Sequence, residues 1–558
     1  MRLKGSDYDT LRRNFRWDIP EKFNIAEAVC WRHAVGEFCD APALIHEDAD
    51  GEARVYSFAK LAELAGRAAN LLGHLGVTRA DVVAIHLPQG PEALIMHLAI
   101  QAIGAIGLPL FTLFGPDAVD YRLRDSAARV LVTTGEGLGR IGAVLDGHEG
   151  LAHVLVVDRE GTGGRMEGGR EALEFWALME QASSDMTPVP TSADDPAFLV
   201  YTSGTTGDPK GVILAQRVLL GHLPGIALPH DFFPRPGDRF WTPADWAWVG
   251  GLLDALLPSL YWGVPVVAGR AAKFDPDQAF AFMARHEIRN VFMPPTALRL
   301  MRQVERPRER HAHKLRSLGS GGESLGEDMI AWGRETFGLT MNEFYGQSEV
   351  NLVIGNSATL FDVRPGSMGR AIPGHDVAIV DHDGNPVEDG AEGIVAVRRP
   401  DPVMFSEYWR KPEATAAKFA GDWCLLGDVA TRDEDGYFWF KGRDDDIIIS
   451  AGYRIGPSEI EDCLARHQAV ALAGVIGAAD KVRGQVVTAY IVLNEGFGAD
   501  EDLERELQEL VRRRLAAHEY PRRMRFIAEM PLTVTGKIRR LDLRAMEAER
   551  VRNEAPDL

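Results

Sequence analysis

The chain has 558 residues, 46% hydrophobic and 25% charged, the balance of a soluble globular protein too long for one core, so two or more domains are expected. Acidic residues outnumber basic ones 81 to 61, a formal charge of −20, which excludes nucleic acid as the main partner because no dominant basic surface exists to release counterions. Four scattered cysteines show neither metal-ligand nor disulfide spacing, and the N-terminus lacks the apolar stretch of a secretory signal, so a reducing, cytoplasmic compartment is expected.

In chain order, the first clear element is "SFAKLAELAGRAANLLGHLG" (57–76). It is predicted to be an amphipathic helix, with Ser57 as N-cap and Leu61, Leu64, Ala68, Leu71, Leu72 and Leu75 on one stripe. A strand follows in "DVVAIHLP" (81–88), then a helix at 90–103, a strand near 106–110, a helix at 117–126 and a strand at 129–133. This alternation implies βα units and parallel sheets covered on both faces. The apolar run at 93–114 is long, but His97, Gln101, two glycines and Pro109 would fall inside a membrane span. It reads instead as a buried helix followed by a buried strand. The Arg-rich stretches 306–316 and 512–525 read as solvated helix faces and loops.

The later third changes character. Asp383-Gly384-Asn385-Pro386 separates alternating segments within 376–399, a hairpin signature. Beyond 436–450 come a strand pair (about 470–493) and a helix at 500–517 lined by Leu503, Leu507, Leu510, Val511 and Leu515. The fold expected is α/β, a large multi-subdomain N-terminal domain (1–442) with parallel sheets and a β region, plus a small, mobile α+β C-terminal domain (443–558). The charged Gly442–Asp446 turn is the expected boundary.

"YTSGTTGDPKGV" (201–212) follows the apolar run "AFLV". A strand feeding a loop of glycines, hydroxyls and one lysine is a way to hold phosphates, since glycine lets successive N–H groups converge on an anion. A P-loop needs Gly-Lys adjacent with Ser or Thr next. Here Asp-Pro separates Gly207 from Lys210 and Gly211 follows, so that reading fails on spacing.

The stretch instead resembles the phosphate loop of the adenylate-forming superfamily of acyl-CoA synthetases, luciferases and peptide-synthetase adenylation domains. Further motifs occur in the family's order: "GSGGESL" (319–325), "NEFYGQSE" (342–349), "LLGDVA" (425–430), "KGRDDDIIISAGYRIGPSEIE" (441–461) and "TVTGKIRR" (533–540). The resemblance is to the acetyl-CoA synthetase-like and medium-chain acyl-CoA synthetase branch. It implies a small carboxylate substrate joined to the α-phosphate of ATP with Mg²⁺, and transfer of the acyl group to coenzyme A.

Residue by residue, the resemblance implies phosphate contacts from Thr202, Ser203, Gly204, Thr205, Thr206, Gly207 and Lys210. Adenine would lie against Gly322, Glu323 and Ser324, where Ser324 stands in place of a common proline. Glu343, Phe344, Tyr345, Gly346, Gln347 and Ser348 would line the nucleotide site, and Glu349 would hold Mg²⁺. Asp428 and Arg443 would bind the ribose. Lys537 would reach the first-step site from the small domain, with Glu349 and Thr202 as further catalytic residues. Asp445 matches the hinge whose rotation would exchange Lys537 for Ala451, Gly452 and Arg454 at the coenzyme A tunnel. Ala451 stands where serine is frequent.

For the acid, "TPADWAWVGGLLDALLPSLYWGVPVV" (242–267) resembles the acyl-pocket wall, with Trp246, Trp248, Val249 and Gly250 as lining candidates. Acetyl-specific relatives carry tryptophan where Gly346 stands here. An opened apolar tunnel would gain about 0.8 kcal/mol per buried CH₂, so an acid longer than propionate is expected, medium-chain, branched or functionalised. Val350 departs from the Thr-Gly of medium-chain relatives, which leaves short-chain and aromatic acids as alternatives. A carrier-loading adenylation enzyme is another alternative, but no carrier domain follows Lys537. A luciferase-like oxygenase is disfavoured, and a non-catalytic binding protein would have lost Lys537 or Glu349. The resemblance also allows a homo-oligomer and a lysine acyltransferase acting on Lys537.

Overall fold

The computed structural model describes all residues except 1, 2, 4, 6, 146–147, 159–170, 203–208, 270–273, 324, 451–452, 481–482, 516–518, 534–535 and 555–558, and only the backbone of Tyr453, Arg454, Gly484, Asn553 and Glu554. The predicted first helix spans Phe58–His74, and the Ser57 hydroxyl accepts from the Lys60 amide. Its apolar stripe packs on the helix Pro91–Ala102, which is buried on nearly every side. That explains the length of the apolar run at 93–114: the helix is covered by protein all round, and the strand Ile106–Pro109 after it is fully buried. No helix among the described residues is long and apolar enough to cross a membrane.

Among the described residues three sheets are present. The eight-stranded one is built on parallel strands Val82–His86, Ile106–Pro109, Val130–Thr133 and Pro196–Thr202. At its edge Lys210–Ala215 and then Glu407–Tyr408 add antiparallel. The fourteen-stranded sheet has a parallel centre that includes Asn290–Phe292, Ser317–Gly321 and Asn342–Gln347. It continues as an antiparallel flank that holds the predicted hairpin, Val377–Val380 against Gly393–Arg398. One core cluster joins helices and both sheets.

The strand Phe438–Arg443 is the last, in chain order, of the large sheet; the five-stranded sheet begins at Ile448–Ser450. Its long hairpin pairs Val470–Asp480 with Gly484–Leu493. The helix Glu501–Arg514, capped by Asp500, buries Leu503, Leu507 and Val511 in a separate core. The overall class is α/β with a large sheet-built domain and a small α+β one.

Candidate active site

The strand Pro196–Thr202 turns back as Lys210–Ala215, with Thr202 opposite Lys210. The tip of that hairpin, with Ser203, Gly204, Thr205, Thr206 and Gly207, lies outside the described residues. At its base the Tyr201 hydroxyl donates to Asp125 at 2.6 Å, and Thr202 Oγ1 donates to the Lys210 carbonyl at 3.4 Å. The Lys210 ammonium lies 5.3 Å from the centre of the Tyr408 ring, a cation–π pair. The Tyr408 hydroxyl donates in turn to Glu349 Oε1 at 2.6 Å. Tyr408 comes from the strand added at the sheet edge, and Glu349 from the Ser348–Val350 turn that joins Asn342–Gln347 to Asn351–Gly355. Burial and the neighbouring carboxylate push the Tyr408 phenol well up, so it stays a neutral donor. A lysine and a buried carboxylate from different sheets are thus held by one tyrosine.

A second focus is Asp428, 5% exposed. Its Oδ2 accepts from the Tyr345 hydroxyl at 2.5 Å and from Gln347 Nε2 at 2.6 Å. Oδ1 has no hydrogen-bond partner among the described residues, although Arg443 Nε lies 3.5 Å away. Asp428 and Arg443 are directly paired across adjacent antiparallel strands, which sets that distance.

Lys537 reaches this region from the small domain. A Cβ on Gly322 would lie 3.8 Å from Lys537 Cε, and one on Gly536 would lie 3.1 Å from Thr296 Oγ1. Trp248, Pro294, Pro295, Thr296, Gly321, Gly322, Glu323 and Lys537 enclose a hollow of about 10 Å³, room for one water. Lys537 stays open to solvent on part of its surface. The protein crowded around it nonetheless lowers its pKa, with Glu323 and Asp428 pulling the other way and Arg443 adding to the decrease. Glu323 is held by Arg299 at 2.8 Å, and Ser324 lies outside the described residues.

Glu343 and Phe344 point away from this surface. Glu343 is 5% exposed, accepts from the Leu325 amide at 3.2 Å, and burial pushes its pKa up to about 8. Phe344 packs on Phe292, and a Cβ on Gly321 would meet its ring at 2.6 Å. Their side chains support the site from behind, which corrects the expectation of direct nucleotide contact by these side chains. Ser348 is partly exposed beside Glu349.

The acyl-pocket candidates divide. Trp248 lines the hollow and stacks near Phe292, with ring centroids 5.4 Å apart. Gly250 is what admits that ring, since a Cβ there would sit 2.8 Å from it. Trp246 and Val249 are buried in the large-domain core, at 2% and 7% exposure. Gly346 requires a correction. A Cβ there would lie 1.5 Å from the Asn351 carbonyl oxygen, because the hairpin register shifts between Tyr345 and Gly346. The residue is glycine because the partner strand crosses its Cα, so it does not mark a side chain withdrawn from a tunnel.

In the small domain, Ala451 and Gly452 lie outside the described residues, and Arg454 is known only as backbone opposite Ile449. Asp445 lies in the turn after Arg443 and pairs with it at 3.4 Å. Its neighbour Asp446 is buried and ion-paired with Arg540, at 3.4 Å, and with Arg544. Across the junction Lys441 meets Glu459 at 2.6 Å. Sequence reasoning does not reach Tyr408 or Arg299, and it marks Asp446 only as the end of the expected boundary turn. Tyr408 is 59 residues from Glu349, and no periodicity links two residues that meet only through sheet topology.

The family description AMP-binding enzyme matches residues 31–409, and AMP-binding enzyme C-terminal domain matches residues 459–537. The chain is 35% identical to acetyl-coenzyme A synthetase of Bacillus subtilis (strain 168), over 97% of this chain and 95% of that protein. It is 36% identical to the mitochondrial acyl-coenzyme A synthetase ACSM2 of Rattus norvegicus, over 95% and 92%. Among solved structures, an acyl-CoA synthetase of Brucella canis superposes with a TM-score of 0.75 at 32% identity, covering 98% of this chain and 99% of that one. The anthranilate CoA ligase AuaEII, in complex with anthranoyl-AMP, superposes with a TM-score of 0.87 at 27% identity, covering 96% and 99%. With matches that run through both domains, the chain belongs to the AMP-binding enzyme family, as an AMP-forming acyl-CoA synthetase that works on a small carboxylate with ATP, Mg²⁺ and coenzyme A.

Proposed function

We propose that the cleft under Lys537 is where the adenylate forms, and that the acid is longer than propionate. The reading rests on one observation above all: Lys537 lies against Gly322 with Glu323, Asp428 and Arg443 as its charged neighbours. In this reading the ribose hydroxyls donate to Asp428, whose Oδ1 has no hydrogen-bond partner among the described residues, and Arg443 steadies that carboxylate. The 202–210 hairpin and Lys210 take the β- and γ-phosphates, Ser348 the α-phosphate, and the 322–324 segment the adenine.

Glu349 commits Oε1 to Tyr408. A single carboxylate suits Mg²⁺, which takes most of its ligands from phosphate and water. The bound cation offsets charge on the phosphate oxygens. A carboxylate oxygen of the acid attacks the α-phosphorus, pyrophosphate leaves, and the Lys537 ammonium stabilises the charge that builds there. Rotation about Asp445 then withdraws Lys537 and brings residues 451–454 to the coenzyme A thiol. Sulfur attacks the acyl carbonyl and AMP leaves.

The case for a longer acid is the Trp248 ring, which lines the hollow and packs on Phe292; Gly346 does not contribute to it. An aromatic acid is the second reading, favoured by the likeness to the anthranilate ligase. The four free cysteines support a cytoplasmic location, and Lys537 is the residue a lysine acyltransferase would modify. Pyrophosphate release with coenzyme A across straight acids from C2 to C12 and benzoate tests the whole. Turnover should be highest above C3, and failure to make AMP from any of these acids would overturn the reading.

A further inference from the structure

The helix Pro116–Ser126 carries none of the motifs, yet it reaches both arms of the 202–210 hairpin. On the incoming arm, one residue before Thr202, the Tyr201 hydroxyl donates to Asp125 Oδ2 at 2.6 Å. On the outgoing arm, one residue before Lys210, the Pro209 carbonyl accepts from the Tyr121 hydroxyl at 2.9 Å. Beside them, Trp409 Nε1 donates to the Asp125 carbonyl at 2.9 Å. Trp409 follows Tyr408, the residue that joins Lys210 to Glu349, and its own amide donates to the Gly211 carbonyl at 2.7 Å.

Helix chemistry explains how one residue serves two elements. Tyr121 and Asp125 are four residues apart and so share a face. The helix stops at Ala127, whose backbone is left-handed, which leaves the Asp125 carbonyl among those at the helix end with no intrahelical partner. Trp409 takes that carbonyl, and Tyr201 takes the carboxylate. A carboxylate in the last turn opposes the helix dipole, a cost offset here by a charge-assisted hydrogen bond. The Tyr201 ring is held as well: the Arg122 guanidinium lies 5.6 Å from its centre, and a Cβ on Gly211 would meet the ring at 3.3 Å. Burial and the neighbouring carboxylate push the Tyr201 phenol well up, so it remains a donor. Between the anchored arms the sequence places Gly204 and Gly207. Glycine backbone loses the most freedom when ordered, and fixing both ends lowers what remains to be lost as a loop closes on phosphates.

We infer that Asp125 is a positioning residue for nucleotide capture: by holding Tyr201 and Trp409 it keeps the hairpin root in register with the Lys210–Tyr408–Glu349 chain, where the β- and γ-phosphates are to be received. The inference rests on the proposed role of the hairpin and deepens it. The experiment uses the full chain with ATP, Mg²⁺, coenzyme A and its best acid, and compares wild type with Asp125→Ala, Asp125→Asn, Tyr201→Phe and the double variant of Asp125→Ala with Tyr201→Phe. Asp125→Ala and Tyr201→Phe should each raise KM for ATP about tenfold. KM for the acid and thiolysis of supplied acyl-adenylate should stay within about twofold of wild type. Asp125→Asn, which keeps an acceptor, should recover most of the loss, and the double variant should be no worse than the worse single one. A KM for ATP within about twofold of wild type in Asp125→Ala, or an equal loss for ATP, acid and thiolysis, would overturn the inference. If Asp125→Ala fails to fold, Tyr201→Phe decides, because it keeps the ring and removes only the hydroxyl. Lys210→Ala separates the inference from the reading beneath it. An unchanged KM for ATP there removes the hairpin's phosphate role and the inference with it; a raised KM there, with none in Asp125→Ala, sinks the inference alone.

Discussion

The two ends of the candidate site are built on opposite principles. At the nucleotide end, Lys210, Tyr408 and Glu349 form one chain of contacts and Asp428, Tyr345, Gln347 and Arg443 another. Charged groups there are held by residues from several strands, with the buried Asp428 Oδ1 left without a hydrogen bond among the described residues. At the proposed acyl end the contacts are those of indole and phenyl rings and close-packed glycine backbone. Preorganised charge serves a reaction whose electrostatics are the same for every acid. A loosely committed apolar wall can differ among relatives without disturbing that chemistry.

The largest expected break in the comparison is Lys537→Ala. Adenylate formation should fall by about a thousandfold, while thiolysis of supplied acyl-adenylate should stay within a few-fold of wild type, read as separate half-reactions. Equal loss of both would mean that the lysine serves fold or binding instead. Next comes Gly346→Ala. A methyl group 1.5 Å from a backbone oxygen forces the hairpin apart, so a loss of more than about 4 kcal/mol, or no soluble protein, is expected in denaturant titration. Gly346→Trp should do the same and should not redirect the enzyme to acetate.

Asp428→Asn probes the nucleotide end more gently. It keeps the shape and weakens one acceptor, so KM for ATP should rise about tenfold with the preference among acids unchanged. A changed acid preference would show that the two ends are not separable. The smallest effect is expected at Glu343. Its folded pKa of about 8 lies above the ordinary 4.5, so the folded state keeps a proton that the unfolded chain releases. Stability should therefore decline as pH rises from about 4.5 to about 8. Glu343→Gln removes that titration and should flatten the dependence of Tm on pH over the same window.

Local chemistry made much of this legible from the residues. Ser57 and a clean helical period specified the first helix, and Asp383-Gly384 marked its hairpin. The motif order pointed to Asp428, Arg443 and Lys537, which lie near one another. What stayed hidden depended on residues far apart in sequence. Nothing in "FSEYWR" says that Tyr408 will bind both Glu349 and Lys210, because that needs two sheets to meet. The turn Leu252–Leu256 is apolar on most sides, so no period shows its π-helical winding around Asp254. Gly346 misled for a related reason. Beside a motif it looks like a deleted side chain, whereas its identity is set by the Asn351 carbonyl of the facing strand.

The buried Asp446, clasped by Arg540 and Arg544, has a mechanical consequence. It fastens the start of the small domain to the helix that follows the Lys537 loop. Any swivel at Asp445 is then carried to the ammonium as through a stiff crank, with little slack lost in between. In the proposed rotation the Lys441–Glu459 contact, 2.6 Å across the junction, would act as a latch. Loosening the clasp should leave each domain intact and blur the timing between the two half-reactions.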